Sequence, residues 1–280
     1  MSCRNAMATR SLKERLFGRL SARRVMLSLI EIYVGVTIGV WLLADKIIHH
    51  PPSRRYGPLP GEVRLQTSDG LKLCAVWMPN PKATHTLLFS HGNAEDLGHD
   101  LPFLRELGGA GFNVFGYDYR GYGRSEGKPN EKGLYRDIDA AYKHLVEKLK
   151  VRPEQIIVLG RSLGSGPSTW LASRQPVGGV VFESAFTSAF RVVIPFPLFP
   201  FDQFPNLKWL PQVRCPILVI HGTSDTIISM KHGKRLYEAY QGPKESWWVE
   251  GADHNDLFDV AGDAYLKRLQ DFSKRVGIGH

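Results

Sequence analysis

The sequence predicts an α/β fold: a mostly parallel central sheet with an N-terminal hairpin and helices on both faces. Two observations carry this. From residue 61 onward, short β-branched or aromatic runs alternate with stretches of helical length, the pattern of a sheet wrapped by helices. The runs are continuously apolar rather than alternating, as strands buried on both faces require. The length agrees, since 280 residues hold one α/β domain of roughly 200–250 residues plus a short appendage. A hydrophobic share of 43% is enough to build a sizeable core and excludes intrinsic disorder.

The appendage comes first. Seven of the 36 Lys/Arg and one of the 27 Asp/Glu fall in residues 1–24, so six of the nine net positive charges sit there. The basicity therefore belongs to a tail and does not mark a nucleic-acid-binding domain. Leu12, Leu16, Phe17 and Leu20 share one helical face opposite Arg15, Arg19 and Arg23, which makes the tail amphipathic. Residues 25–44 read VMLSLIEIYVGVTIGVWLLA, with Glu31 the one charge. At about 1.5 Å per residue this just spans a hydrocarbon core of about 30 Å, so it is expected to be a single-pass transmembrane anchor. Arginines crowd its N-terminal side, which places the N-terminus in the cytoplasm and the rest of the chain across the membrane. A cleaved signal peptide or a surface helix are the rival readings. Residues 45–60, with HHPPSRRYGPLP at 49–60, form a linker, and the domain proper is 61–280.

Within the domain, Glu62–Thr67 and Leu71–Met78 flank Ser68-Asp69-Gly70, a hairpin signal. Further strands are expected at Thr86–Ser90, Asn113–Tyr117, Ile156–Leu159, Gly179–Glu183, Ile217–His221 and Glu245–Val249. Helices are expected at Asp96–Gly108, Gly133–Lys148, Ser165–Gln175, Lys231–Tyr240 and Ala261–Val276. Ligands of such sheets bind at the C-terminal ends of the strands, so residues just after strands are the ones to read for chemistry.

Ile156–Leu159 runs into Gly160-Arg161-Ser162-Leu163-Gly164 and then a helix. This is Gly-x-Ser-x-Gly in a strand–turn–helix setting, where a sharp turn lifts the Ser162 hydroxyl clear of the sheet and presents it as a nucleophile. Such a serine needs an imidazole to take its proton. Among ten histidines, His254 lies in a polar loop after the last strand, while His221 and His232 read as structural and His91 as a brace for its loop. The acid expected to hold the imidazole is Asp225, immediately after Ile217–His221, with Glu183, Asp253 and Asp256 as rivals. Asp118 is expected to organise its own loop through Arg120. The backbone amides of Asn93, after the strand ending at Ser90, and of Leu163 are placed to form an oxyanion hole. No metal or cofactor is called for: the three cysteines form no Cys-x-x-Cys, which argues against structural zinc and a disulfide framework alike.

Taken together, His91-Gly92-Asn93-Ala94, the Asp118–Ser125 loop, Gly160–Gly164, His221–Asp225 and Gly251–Asp256 resemble the α/β-hydrolase family over about residues 60–276. The segments His91–Gly98, Phe201–Asn206 and Trp248–Asp256 are most similar to its membrane-attached members, among them protein depalmitoylases. That resemblance implies serine hydrolysis of acyl esters or thioesters without a cofactor, acting on a small-molecule or lipid acyl substrate or an acylated protein. The depalmitoylating members attach through an N-terminal cysteine cluster, whereas this chain has a lone Cys3 and a hydrophobic span.

Residues 186–212 are rich in aromatics and proline and read as a lid over the strand ends. Phe186, Phe190, Phe196 and Phe199 are its candidates for lining an acyl cleft, with plain packing of a long loop as the other reading. Two rival functions stand beside the hydrolase of esters: a serine peptidase on the same fold, and a non-catalytic binding protein on a hydrolase scaffold.

Overall fold

A computed structural model describes residues 21–53 and 56–276. The chain divides into two units, one reaching to Ala44 and the other from Asp45 onward. Helix α1, Ala22–Ile48, is 27 residues long, about 40 Å at the α-helical rise, which exceeds a bilayer's hydrocarbon thickness. Its apolar side chains are exposed, with Leu29, Ile32, Trp41 and Leu42 each more than 60% accessible. The helix runs four residues into the segment expected to be linker. Leu43 to Ile48 are all compatible with helix, and the chain is stopped only by Pro51-Pro52, which disfavour helical backbone before them. Most of the basic tail, residues 1–20, lies outside the described residues.

The second unit is built on an eight-stranded sheet: β1 (Glu62–Gln66), β2 (Lys72–Met78), β3 (Thr86–Ser90), β4 (Asn113–Tyr117), β5 (Ile156–Arg161), β6 (Gly179–Glu183), β7 (Ile217–Gly222) and β8 (Lys244–Val249). Their spatial order is β1-β2-β4-β3-β5-β6-β7-β8. β1 and β2 form the antiparallel start, with Arg64 opposite Cys74, and β2 joins β4 antiparallel; every later pairing is parallel. The hairpin turn has Gly70 at φ +87°, a conformation that a side chain rarely adopts.

The apolar runs are explained by two cores, one on each face. Leu88, Phe115, Val158, Val180 and Val219 point into one, while Leu87, Phe89, Val114, Leu159, Val181 and Leu218 point into the other. Neighbouring residues of a strand thus face opposite cores, and all five residues of β3 and of β6 are buried. Helix α2 (Leu97–Gly109) is started by Asp96, whose carboxylate accepts the His99 amide at 3.0 Å. Asn130 starts α3 (Glu131–Lys143) in the same way through Gly133 N, and a π-helical turn His144–Lys148 continues it. Helix α4 (Ser165–Ala172) follows a 3-10 turn at Ser162–Gly164.

Residues 186–212, the segment expected to be a lid, are not irregular throughout. It carries short helices α5 (Ala189–Val193) and α6 (Asn206–Trp209). Asp202 organises the first, accepting from Ser188 Oγ at 2.7 Å and Phe190 N at 2.9 Å. After α7 (Lys231–Ala239), a short helix α8 (Leu257–Ala261), not among the expected ones, ends at Gly262 with φ +53°, and the expected last helix, Ala261–Val276, is found as α9 (Asp263–Arg275). Four crossings end on one rim: the C-terminal ends of β3, β5, β7 and β8.

Candidate active site

At the end of β5 the backbone turns sharply, and Ser162 takes φ +50°, a strained value for a residue with a side chain. The flanking glycines are required by close approach. A Cβ on Gly160 would lie 2.5 Å from Ser168 Oγ, and one on Gly164 would lie 2.0 Å from the carbonyl oxygen of Ser90. The elbow therefore seats directly against the end of β3. Ser162 is 8% exposed, and its Oγ lies 3.0 Å from His254 Nε2.

His254 sits in the loop after β8. Asp253 fixes that loop, accepting the amides of His254 and Thr226, each at 2.7 Å, while Asp256 accepts the amide of Asp253. The other ring nitrogen, Nδ1, lies 2.8 Å from Asp225 Oδ2. The structure thus joins the hydroxyl, the imidazole and the carboxylate into one hydrogen-bonded chain, although 92 residues separate Ser162 from His254. Asp225 Oδ1 accepts the amides of Ile227 and Ile228, at 3.0 and 2.7 Å. Burial acts to raise this carboxyl, but hydrogen bonds from His221 and His254 outweigh it and hold it well below the usual carboxylate range.

The rival acids are engaged elsewhere. Glu183 accepts from Arg161 Nε at 2.7 Å and from the Tyr265 hydroxyl. Asp118 accepts from the Tyr56 hydroxyl and the amides of Leu97 and Arg124. It does not bind Arg120, contrary to the sequence expectation. Arg120 reaches instead to Asp137 at 2.8 Å and Asp69 at 2.9 Å, because Asp137 on α3 is buried and needs a cation.

After β3, His91 is fully buried, with Nδ1 2.8 Å from Gly92 O and its ring against Tyr119. The next two residues are fixed by contacts that sequence reasoning did not supply. Gly92 N donates to Glu95 Oε2 at 2.6 Å. The Asn93 side chain accepts from Tyr122 OH at 2.7 Å and from His50 N at 2.9 Å, and donates to Ile48 O at 2.6 Å. The backbone amides of Asn93 and Leu163 donate to no protein acceptor among the described residues. His221, read from the sequence as structural, is fully buried, and its Nε2 lies 2.7 Å from Ile228 O and 3.2 Å from Asp225 Oδ2, so a second buried imidazole backs the carboxylate.

Two cavities adjoin this rim. One of about 750 Å³ lies beside α5, lined by Arg191, Val193, Pro195, Pro197, His232 and Arg235. The other, about 530 Å³, reaches His254. The four phenylalanines named as acyl-cleft candidates line neither of them. Phe186 is buried in the core, Phe190 and Phe199 pack on Phe201 and on each other, and Phe196 is 57% exposed. Phe190 and Phe199 thus pack within their own segment, together with Phe201. Glu95, His99 and Asp100 bring ligand atoms within 4.8 Å of one another, yet the Arg161 guanidinium already faces Glu95 and Asp100 at 3.7 and 3.4 Å.

Comparison with known proteins places this geometry in context. Residues 81–199 match the serine aminopeptidase S33 family of hydrolases. The chain is 44% identical over 211 residues to α/β hydrolase domain-containing protein 17B of Homo sapiens, covering 74% of this chain and 73% of that one. It is 46% identical over 202 residues to the Caenorhabditis elegans α/β hydrolase domain-containing protein aho-3, covering 71% and 60%. Among solved structures, a Pyrococcus furiosus esterase superposes with a TM-score of 0.69 at 22% identity, over 81% of this chain and 99% of that one. An Exiguobacterium antarcticum esterase does so with 0.59 at 16%, over 76% and 99%. These two likenesses concern the fold.

Proposed function

The chain belongs to the α/β-hydrolase family of serine hydrolases, and from that premise we propose that it cleaves acyl esters or thioesters at a membrane through Ser162, His254 and Asp225. The observation that carries this is the hydrogen-bonded chain from Ser162 Oγ through His254 to Asp225. Ser162 Oγ attacks the acyl carbonyl as its proton passes to His254 Nε2, and Asp225 stabilises the imidazolium. The negative oxygen of the tetrahedral intermediate is received by the amides of Asn93 and Leu163, at the start of the turn that leads into α4. His254 then returns the proton to the departing alcohol or thiol, leaving an acyl group on Ser162. Water repeats the sequence and releases the acid. No cofactor or metal enters these steps. Ser162→Ala should abolish labelling by a fluorophosphonate probe; labelling that persists at another serine overturns the assignment.

α1 supplies the attachment, and the arginines before it favour a cytoplasmic N-terminus with the catalytic unit across the membrane. Glu31 works against this by roughly 2–3 kcal/mol if it reaches mid-bilayer. Protease protection in sealed vesicles tests the orientation, and the mass of the mature N-terminus tests whether the span is retained. The S33 match favours one second reading, a peptidase using the same residues. Turnover of p-nitrophenyl esters against that of peptide amides separates the two.

A further inference from the structure

We infer that Glu95 is a positioning residue for the proposed reaction: its carboxylate, clasped by Arg161, holds one oxyanion donor at a fixed place relative to the other. The inference rests on that reaction, because only the reaction gives the two amides a shared task. The donors come from different elements. Leu163 belongs to the elbow after β5 and follows Ser162 directly, so its place relative to the nucleophile is set by the chain. Asn93 belongs to the turn after β3, and nothing covalent fixes it against Ser162. One developing oxygen must lie about 2.7–3.1 Å from both.

The peptide that carries the Asn93 N–H is held on both sides. Its own carbonyl, Gly92 O, accepts from His91 Nδ1 at 2.8 Å. A trans peptide sends its C=O and N–H in opposite directions, so this contact turns the Asn93 N–H away from His91. On the other side of Gly92, its N–H donates to Glu95 Oε2 at 2.6 Å. The carboxylate reaches back three residues to do so, across Ala94 at φ +60°, a backbone conformation unfavourable for a residue with a side chain. It is seated so closely that a Cβ on Gly92 would lie 2.8 Å from Oε2. The second oxygen, Oε1, faces Arg161 Nη1 at 3.7 Å. Arg161 immediately precedes Ser162 and is itself pinned. Its Nε meets Glu183 at 2.7 Å, its Nη1 meets Asp100 at 3.4 Å, and its guanidinium lies 4.3 Å from the Phe103 ring centre. Burial pushes the Glu95 carboxyl up, and Arg161 is the strongest influence pulling it back down. The residue before the nucleophile is thus linked, through one side chain, to the residue before the oxyanion donor. Without that link the Gly92 peptide is free to rotate, which carries the Asn93 N–H off the developing charge and leaves ground-state ester binding alone.

Two substitutions separate the acceptor from the charge. Glu95→Gln keeps an oxygen for the Gly92 amide and gives up the charge facing Arg161. Glu95→Asp keeps the charge and is one methylene too short to reach Gly92 N. The full chain in neutral detergent is assayed for kcat and KM with p-nitrophenyl butyrate, and for inhibition by octyl trifluoromethyl ketone. Ser162 Oγ bonds to the ketone's carbonyl carbon, the π pair moves to oxygen, and the serine proton passes to His254 Nε2. The adduct therefore places an anionic oxygen where the ester intermediate does. Losing an oxyanion donor outright costs about 10²–10³ in kcat. Glu95→Asp should lower kcat about 30-fold or more and weaken ketone inhibition by a similar factor, with KM within about threefold of the parent. Glu95→Gln should stay within about fivefold of the parent in both kcat and inhibition. Thermal melting reports that each variant is folded, and Glu95→Ala, which has no acceptor to offer, replaces Glu95→Asp if the latter does not fold. An Asp variant as active as the parent overturns the inference, as does a Gln variant that is no better than the Asp variant or does not fold. A loss confined to KM, with ketone inhibition intact, does the same. Absence of Ser162-dependent labelling and of ester turnover in the unmodified chain overturns the proposed reaction, and this inference with it.

Discussion

Replacing Asp225 by Asn is the sharpest test of the proposed relay, because the substitution preserves shape and inverts one hydrogen bond. Asp225 Oδ1 accepts the amides of Ile227 and Ile228, and an Asn oxygen retains both. The amide nitrogen must then occupy the Oδ2 position, 2.8 Å from His254 Nδ1. There it donates, so Nδ1 must accept, and the ring proton is forced onto Nε2, which faces Ser162 Oγ at 3.0 Å. In that tautomer His254 has no lone pair to take the serine proton. A serine protease altered in the same way loses about 10⁴ in kcat, equivalent to about 5.4 kcal/mol of transition-state stabilisation, and a similar loss is expected here. The fold should bear a smaller effect. His221 Nε2, which donates to Ile228 O, then faces a second donor at 3.2 Å, a conflict of about 1–3 kcal/mol. The pH dependence follows from the depressed Asp225 pKa. A carboxylate held low in the folded chain contributes its full stability above the unfolded value of about 3.9, and loses it as acid carries the pH down toward the folded value. The Asn variant should therefore lose less stability than the parent between about pH 4 and 2. Steady-state turnover of p-nitrophenyl butyrate and thermal melting across that range measure both effects. A folded variant that keeps turnover within about tenfold of the parent would show that Asp225 does not orient the base.

Three further outcomes are expected. Gly164→Ala places a Cβ 2.0 Å from Ser90 O, so β3 or the elbow must shift, destabilising the chain by about 1–3 kcal/mol and lowering ester turnover by about 10²-fold, as melting and kcat will report. A chain begun at Asp45 should leave the membrane pellet and keep its turnover. One begun at Pro51 also removes Ile48 O and His50 N, the two backbone partners of Asn93, and should lose roughly tenfold in kcat. Cys74 and Cys215 are buried, and burial pushes the Cys215 thiol up to about 12. With Cys3 replaced by Ser, iodoacetamide at pH 8 should therefore modify neither thiol until denaturant is added, as mass spectrometry will show.

What could be read in the sequence was whatever depends on near neighbours. The inner strands are runs such as Thr86–Ser90 that both cores bury, so composition alone shows them to within two residues. Ser162, Asp225 and His254 were legible as candidates because each follows such a run, and the glycines beside Ser162 announce a turn too tight for a Cβ. Contacts across the chain were not legible. Arg120 was assigned to its neighbour Asp118, but the carboxylate it meets lies 17 residues on, at Asp137. The start of α5 is organised by Asp202, twelve residues beyond Phe190, which leaves no local capping signal. Helix α8, five residues ended by Gly262 at φ +53°, is too short to show a helical period. Phe186, Phe190, Phe196 and Phe199 are acyl-cleft candidates on composition alone, and two of them, Phe190 and Phe199, meet Phe201 and each other. Rings close in sequence and spaced by proline meet at little entropic cost, so aromatic density in a short segment is weak evidence for a cleft.

The charge distribution shows how far a whole-chain sum stands from the surface a substrate meets. Six of nine net charges sit in residues 1–24, next to a span that meets lipid headgroups if it is inserted, where cationic side chains are favoured by about 1 kcal/mol each on an anionic surface. The carboxylates around His254 come from three separate segments: Glu95 to Glu106, Glu183, and Asp259 with Asp263. None of these segments is strikingly acidic by itself, and only the fold sums them.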